Sequence, residues 1–239
     1  MRAERRDPPA HGSRFLAAIF DFDETIVNLE PQHTAAHDAL CRAYGADYAS
    51  LPESFRNGSG RRIIDDIRVM RAHFGWSASE DELFARRQEQ FDAICARGEL
   101  RAMDGVAESV RALQERGLRL AIASSAVRAS IEKVLEQIGL RDAFPLIVDG
   151  SEVARGKPDP EIYRITAERL GVAAGACVVF EDSHVGVVAA KRAGMYCVAV
   201  RNPGAQTWQD LSAADVVVGG FGELDLTVLA PRSAPPPAG

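Results

Sequence analysis

The chain has 239 residues, 46% of them hydrophobic and 26% charged, and 28 basic against 34 acidic residues give a formal net charge of −6. That balance belongs to a soluble globular protein with enough chain for one good core and a second small one, and not to a disordered, collagen-like or disulfide-scaffold chain. The acidic surplus argues against binding a nucleic-acid polymer, which depends on neutralising phosphates.

Cys41, Cys95, Cys177 and Cys197 form no C-x-x-C pair and have no histidine at metal-ligand spacing. They read as small buried hydrophobes in a reducing compartment. Arg5-Arg6 precedes an apolar run, Phe15 to Phe20, that is too short for a signal-peptide core. No stretch reaches the length of a membrane span. The expected location is the cytoplasm, with no membrane and no protein partner implied.

In chain order, residues 1–12 are charged and proline-containing and read as a flexible arm; residues 231–239 form a proline-rich, disordered tail. Phe15 to Phe20 is a short apolar run ending at Asp21, which favours a buried strand. Residues 31–102 carry helical spacing only: Ala35, Ala36, Ala39, Leu40 and Ala43 share one face, Ile63, Ile64, Ile67 and Met70 another, and Leu83, Phe84, Phe91 and Ile94 a third. After Met103 the pattern alternates. A helix near Val106–Arg116 ends at Gly117, and strands at Arg119–Ala123, Pro145–Val148, Ala176–Phe180, Met195–Val200 and Asp215–Val218 are separated by helices near Ala129–Ile138, after Pro160 and at Val185–Ala193.

Strands alternating with helices predict an α/β fold, a Rossmann-like parallel sheet covered on both faces. The helical stretch after the first strand predicts an inserted α-helical cap. The core then takes residues 13–30 and 103–230, and the cap residues 31–102. Open sheets of this kind bind ligands at the carboxyl ends of their strands, so the residues just after each strand belong together. They are Asp21-Phe22-Asp23-Glu24-Thr25, Ser124-Ser125, Lys157 before the Pro160 helix, and Glu181-Asp182-Ser183. Oxygen ligands suit Mg²⁺, a lysine among carboxylates offsets their repulsion and meets an incoming phosphoryl oxygen, and an aspartate at a strand end can become phosphorylated as a nucleophile.

These residues resemble the four motifs of the haloacid dehalogenase superfamily of phosphohydrolases, in the required order, over roughly residues 14–230. The resemblance is greatest to the β-phosphoglucomutase-like branch. It implies a Mg²⁺-dependent phosphatase acting on a small phosphorylated metabolite, such as a sugar phosphate or a nucleoside-like 5′-phosphate. Asp21 would be the nucleophile, and Asp23 the general acid/base with its backbone carbonyl on the metal. Thr25 would hold Asp23 or its loop beside the phosphate site, Ser124 and Ser125 would flank the phosphate, and Lys157 would bind phosphate and Asp21. Asp182 and Glu181 would complete the metal shell, with Ser183 in support.

His33, twelve residues after Asp21, would help position Asp23, the alternative being a surface histidine at a helix start; His37 shares its face. The segment Asn57-Gly-Ser-Gly60-Arg-Arg62 resembles the branch's specificity loop, with Arg61 or Arg62 meeting an anionic part of the substrate. Glu24 stands where the family commonly has glycine, and is read as an exposed side chain tolerated on the loop, the alternative being a group that faces the cap or substrate. Ile63, Ala126 and Val127 occupy positions where mutases of the branch hold a second phosphate, which favours a phosphatase over a sugar-phosphate mutase. A non-catalytic binding module is disfavoured because both Asp21 and Asp23 are present.

Overall fold

The computed structural model describes residues 15–56, 60–201 and 209–229. The arm, the tail and Asn57 to Ser59 of the specificity loop lie outside them. Six strands form one sheet: β1 (Ala17–Phe20), β2 (Arg119–Ala123), β3 (Leu146–Val148), β4 (Cys177–Glu181), β5 (Tyr196–Val200) and β6 (Val216–Val218). Their order is β3-β2-β1-β4-β5-β6 and every neighbouring pair is parallel. The predicted strands are all present, most of them a residue or two shorter.

Side-chain alternation explains how four-residue β1 holds the centre. Ala18 and Phe20 join one apolar layer with Val178 and Phe180, and Ala17 and Ile19 join the other with Cys177 and Val179. Phe20 stacks on Phe180 at 4.7 Å and meets Phe144 edge-on at 5.4 Å. All four cysteines are buried and free.

The cap that follows β1 is built, among the described residues, from α1 (Glu30–Ala43), α2 (Glu53–Arg56), α3 (Ile63–Phe74) and α4 (Glu80–Arg97). Ser79 caps α4 by accepting from the Glu82 amide at 3.2 Å, and three acidic residues in the first turn suit the helix dipole. Leu40, Cys41, Tyr48, Leu51, Ile63, Ile67, Met70 and Leu83 form a separate apolar core within this cap. The remaining helices, α5 (Val106–Glu115), α6 (Arg128–Gln137), α7 (Glu161–Leu170) and α8 (His184–Arg192), cover the sheet. No helix among the described residues is long and apolar enough to cross a membrane.

The chain runs from β1 outward through β2 to β3, then returns to place β4 on the other side of β1. The switch point between β1 and β4 leaves a crevice at their carboxyl ends, under the cap. Because the cap core is small and closed, Leu83→Ala should lower stability by about 2–5 kcal/mol, the usual cost of emptying a buried leucine site. Urea unfolding followed by tryptophan fluorescence measures it.

Candidate active site

Asp21 follows β1 directly, and its amide donates to the Phe180 carbonyl of β4 at 2.9 Å, so the ladder carries the aspartate to the sheet's edge. Lys157 lies fully buried behind it, with Nζ 2.5 Å from Asp21 Oδ1 and 2.5 Å from Glu181 Oε1. Burial alone would lower the lysine's pKa, but the two carboxylates outweigh it and hold the ammonium charged. Burial lifts Asp21 well above the carboxylate range against the pull of Lys157, and Glu181 adds to the lift. Asp182 is raised in the same way by burial and then by Glu181 and Asp21.

Glu181 is held on all sides. Oε1 accepts from Lys157 and from Tyr163 Oη at 2.8 Å; Oε2 accepts from the amides of Asp182 and Ser183 and from Ser183 Oγ. Its oxygens are engaged by protein donors, so Glu181 orients the lysine and the loop while remaining one of the three clustered carboxylates. Ser183 also caps α8, accepting from the Gly186 amide at 3.1 Å. Gly186 makes room for this cradle: a Cβ there would stand 1.6 Å from Glu181 Oε1.

Asp21, Glu181 and Asp182 each bring a carboxylate oxygen within 4.8 Å of the others. Three carboxylates around one lysine leave surplus negative charge in a buried place, so the donor set fits a hard divalent cation. Asp21 and Asp182 are the two of the three that line the cavity. Thr25 is wholly buried and donates to Asp182 Oδ1 at 3.2 Å. It therefore steadies the carboxylate of Asp182, which corrects the expectation that it lies beside the phosphate.

The cavity under the cap is also lined by Asp23, His33, Ser124 and Ser125. Ser124 Oγ accepts from the Ala126 amide at 3.1 Å, which leaves its proton for an acceptor in the cavity. Ser125 Oγ instead donates to the Gly60 carbonyl of the cap at 2.8 Å. His33 stacks on Phe91 and brings Nε2 to 3.4 Å from Asp23 Oδ1. Its Nδ1 lies 2.5 Å from Nη2 of Arg87, a fully buried arginine on α4. Arginine only donates, so Nδ1 is the acceptor and the ring proton sits on Nε2, while Asp23 Oδ1, 3.4 Å away, accepts no hydrogen bond among the described residues. Burial lowers the Arg87 pKa to about 10, with Asp66 and Asp23 opposing, and the group stays cationic at neutral pH.

The two cap arginines have separate roles. Arg61 lines the cavity, with Nε 2.7 Å from Asp66 Oδ1 and Nη2 donating to the Phe55 carbonyl. Arg62 is not part of the cavity wall: it pairs with Asp65 and donates through Nη1 to the Val153 and Ala154 carbonyls, bridging cap and core. The substrate-contact expectation for Arg62 is thus replaced by a clasp. Arg128 likewise turns away, to Asp149, Glu152 and the Ile147 carbonyl. Glu24 corrects its expectation too. It is 7% exposed rather than solvated, sits at φ 63°, and accepts from the amides of Leu29 and Glu30. Burial pushes its pKa up to about 7 against those two hydrogen bonds.

The family described as haloacid dehalogenase-like hydrolase matches residues 15–194. The chain belongs to the haloacid dehalogenase-like hydrolases. Hexitol phosphatase B of Escherichia coli K12 is 32% identical to this hydrolase over 220 residues, covering 88% of this chain and 95% of the relative. The validoxylamine A 7′-phosphate phosphatase of Streptomyces hygroscopicus subsp. limoneus is 32% identical over 212 residues, covering 85% and 93%. Among solved structures, a CbbY variant from Rhodobacter sphaeroides in complex with xylulose-1,5-bisphosphate superimposes with a TM-score of 0.80 at 26% identity, over 90% of this chain and 99% of the other. The haloacid dehalogenase-like hydrolase described here is thus an enzyme of the phosphatase kind.

Arg87 and Tyr163 were not legible as site residues of this hydrolase. For Arg87 a signal existed: Leu83, Arg87, Phe91 and Cys95 are the buried stripe of α4, and an arginine in an apolar i, i+4 series needs a buried partner. The Glu181 cradle predicts that Gly186→Ala displaces the start of α8 and costs about 1–3 kcal/mol or more. Gly175→Ala, with nothing within 4 Å of the new methyl, should be near neutral. Paired thermal unfolding of the two variants checks the contrast.

Proposed function

We propose that this chain is a Mg²⁺-dependent phosphomonoesterase that releases phosphate from a small phosphorylated metabolite, a sugar phosphate or a sugar-phosphate conjugate such as a nucleoside-like 5′-phosphate. The observation that carries this reading is the pair Asp21 and Asp23 on one cavity at the end of β1, with Lys157 on Asp21 Oδ1. Relatives named for hexitol and for validoxylamine A 7′-phosphate support a small phosphoester. So does a cavity roofed by cap residues, which suits a small ester.

Asp21, Asp182 and the Asp23 carbonyl would hold the metal, which when bound neutralises and orients phosphoryl oxygens. Lys157 fixes one oxygen of Asp21 and leaves the other to attack phosphorus. As the new Asp21–phosphorus bond forms, the ester bond breaks, and Asp23 gives its proton to the departing oxygen. Ser124 donates its free proton to a phosphoryl oxygen. In the second half, Asp23 takes a proton from water, the water oxygen bonds to phosphorus, and the Asp21–phosphorus bond breaks to release phosphate. His33, with Nε2 3.4 Å from Asp23 Oδ1, would help position the Asp23 carboxylate for both transfers.

A sugar-phosphate mutase would need surplus positive charge to hold a second phosphate. Among the described residues, the guanidinium groups lining the cavity are those of Arg56 and Arg61, and Arg61 is already met by Asp66. That balance favours water over a second phosphoester as the acceptor.

A phosphate-release screen over sugar and nucleoside phosphates tests the reading. Turnover should vanish in excess chelator and return with Mg²⁺. Asp21→Asn should abolish it, and Asp23→Asn should lower kcat by about 10²–10⁴, the usual share of general acid/base catalysis. With a β-hexose 1-phosphate and catalytic hexose 1,6-bisphosphate, phosphate should appear faster than the 6-phosphate isomer; rapid isomerisation without phosphate release would establish a mutase instead.

A further inference from the structure

Glu24 stands between Asp23 and Thr25 at φ 63°, a conformation that a side-chain-bearing residue adopts at a cost and glycine does not. A carboxylate kept there needs a compensating contact. Its Oε1 accepts from the Leu29 amide at 3.0 Å and the Glu30 amide at 2.8 Å. These are among the orphan donors at the start of α1, and Leu29, at the N-cap position, makes no side-chain capping bond. Glu24 therefore caps a helix from five and six residues upstream, and the two amides lie where the chain leaves the core for the cap.

One turn further along α1, His33 brings Nε2 to 3.4 Å from Asp23 Oδ1. Helix α1 is thus attached to the catalytic loop at two adjacent residues: to Glu24 through its first amides and to Asp23 through the His33 ring. The capping bonds fix the height and rotation of the helix's first turn. The histidine contact is longer than a hydrogen bond of normal length and depends on that placement.

We propose that Glu24 is a positioning residue that fastens the first turn of cap helix α1 to the catalytic loop and so keeps His33 in register with Asp23. Its catalytic consequence rests on the acid/base role given to Asp23 above, whereas the clasp itself does not. Glycine at this position would relieve the backbone and lose the clasp; glutamine would retain an acceptor oxygen of the same reach.

The test compares wild type, Glu24→Gly, Glu24→Gln, His33→Ala and the double variant Glu24→Gly/His33→Ala. Two readouts are followed: amide hydrogen exchange across residues 29–33, and steady-state phosphate release from the best substrate of the screen. Glu24→Gly should be at least as thermally stable as wild type, yet exchange these amides about tenfold faster, the factor expected from losing a helix cap of typical strength. Its kcat should fall about tenfold with KM within about twofold, and Glu24→Gln should restore most of both losses. In the His33→Ala background, Glu24→Gly should lower kcat by less than about twofold, because the two residues act in series. Unchanged exchange at 29–33 in Glu24→Gly would overturn the clasp. Faster exchange with unchanged kcat, or equal losses in both backgrounds, would overturn its link to Asp23 through His33. If wild type releases no phosphate from any ester, the phosphatase reading fails, while the exchange comparison still decides the clasp.

Discussion

The buried ammonium of Lys157 between Asp21 and Glu181 is the interaction on which the rest of this molecule is arranged. Two carboxylates and a cation removed from water are tolerable only when geometry and further hydrogen bonds compensate their lost hydration. The fold supplies both from four directions. β1 and β4 are neighbours, so Asp21 and Asp182 emerge side by side. The loop before α7 brings the lysine, α7 brings Tyr163, and the start of α8 brings the amides and hydroxyl that close around Glu181. Removal of the ammonium would leave mutually repelling carboxylates in a dry place, so the loop that carries it is fixed by electrostatics as much as by packing.

The cap meets the core in two different ways. Near the chain crossings the contact is apolar: Ala36, Phe91 and Cys95 belong to the same buried cluster as Val27, Leu29, Ile131 and Val134. Asp92 extends that side with bonds to Ser130 and Lys133 of α6. Over the cavity mouth the contact is made by single polar bonds, Arg62 to the Val153 and Ala154 carbonyls and Ser125 to the Gly60 carbonyl. Polar bonds of this kind exchange readily for bonds to water, with a net worth of only about 0.5–1.5 kcal/mol each. The apolar side is the firmer attachment.

What the sequence disclosed follows from which properties are local. Two carboxylates at i and i+2 after an apolar strand keep their meaning whatever surrounds them, and the alternation of strands and helices prescribes the sheet. Asp21, Asp23, Ser124, Lys157 and Asp182 were therefore legible together. Glu181 was legible as a member of the set but not in its role, because that depends on the donors gathered around it, two of them one and two residues ahead and two from α7 and its preceding loop. The Arg61–Arg62 pair shows the same limit. Adjacent residues at a helix start point in different directions, and which one faces the cavity is settled by the fold. Glu24 departed from the family pattern in plain view, yet the target of its carboxylate depends on how tightly the loop curls toward Leu29.

The two strands of chain that join cap to core run beside each other. Val27 and Ala102 form an antiparallel bridge, and the Met103 amide donates to the Ile26 carbonyl at 2.8 Å. Everything between them is an excursion whose ends are already closed. The entropy of closing such an excursion grows only logarithmically with its length, about 0.6 kcal/mol per doubling. The closure cost of a shorter or longer roof would therefore differ little. The inserted segment can thus change in length while the strands that bear the chemistry keep their register.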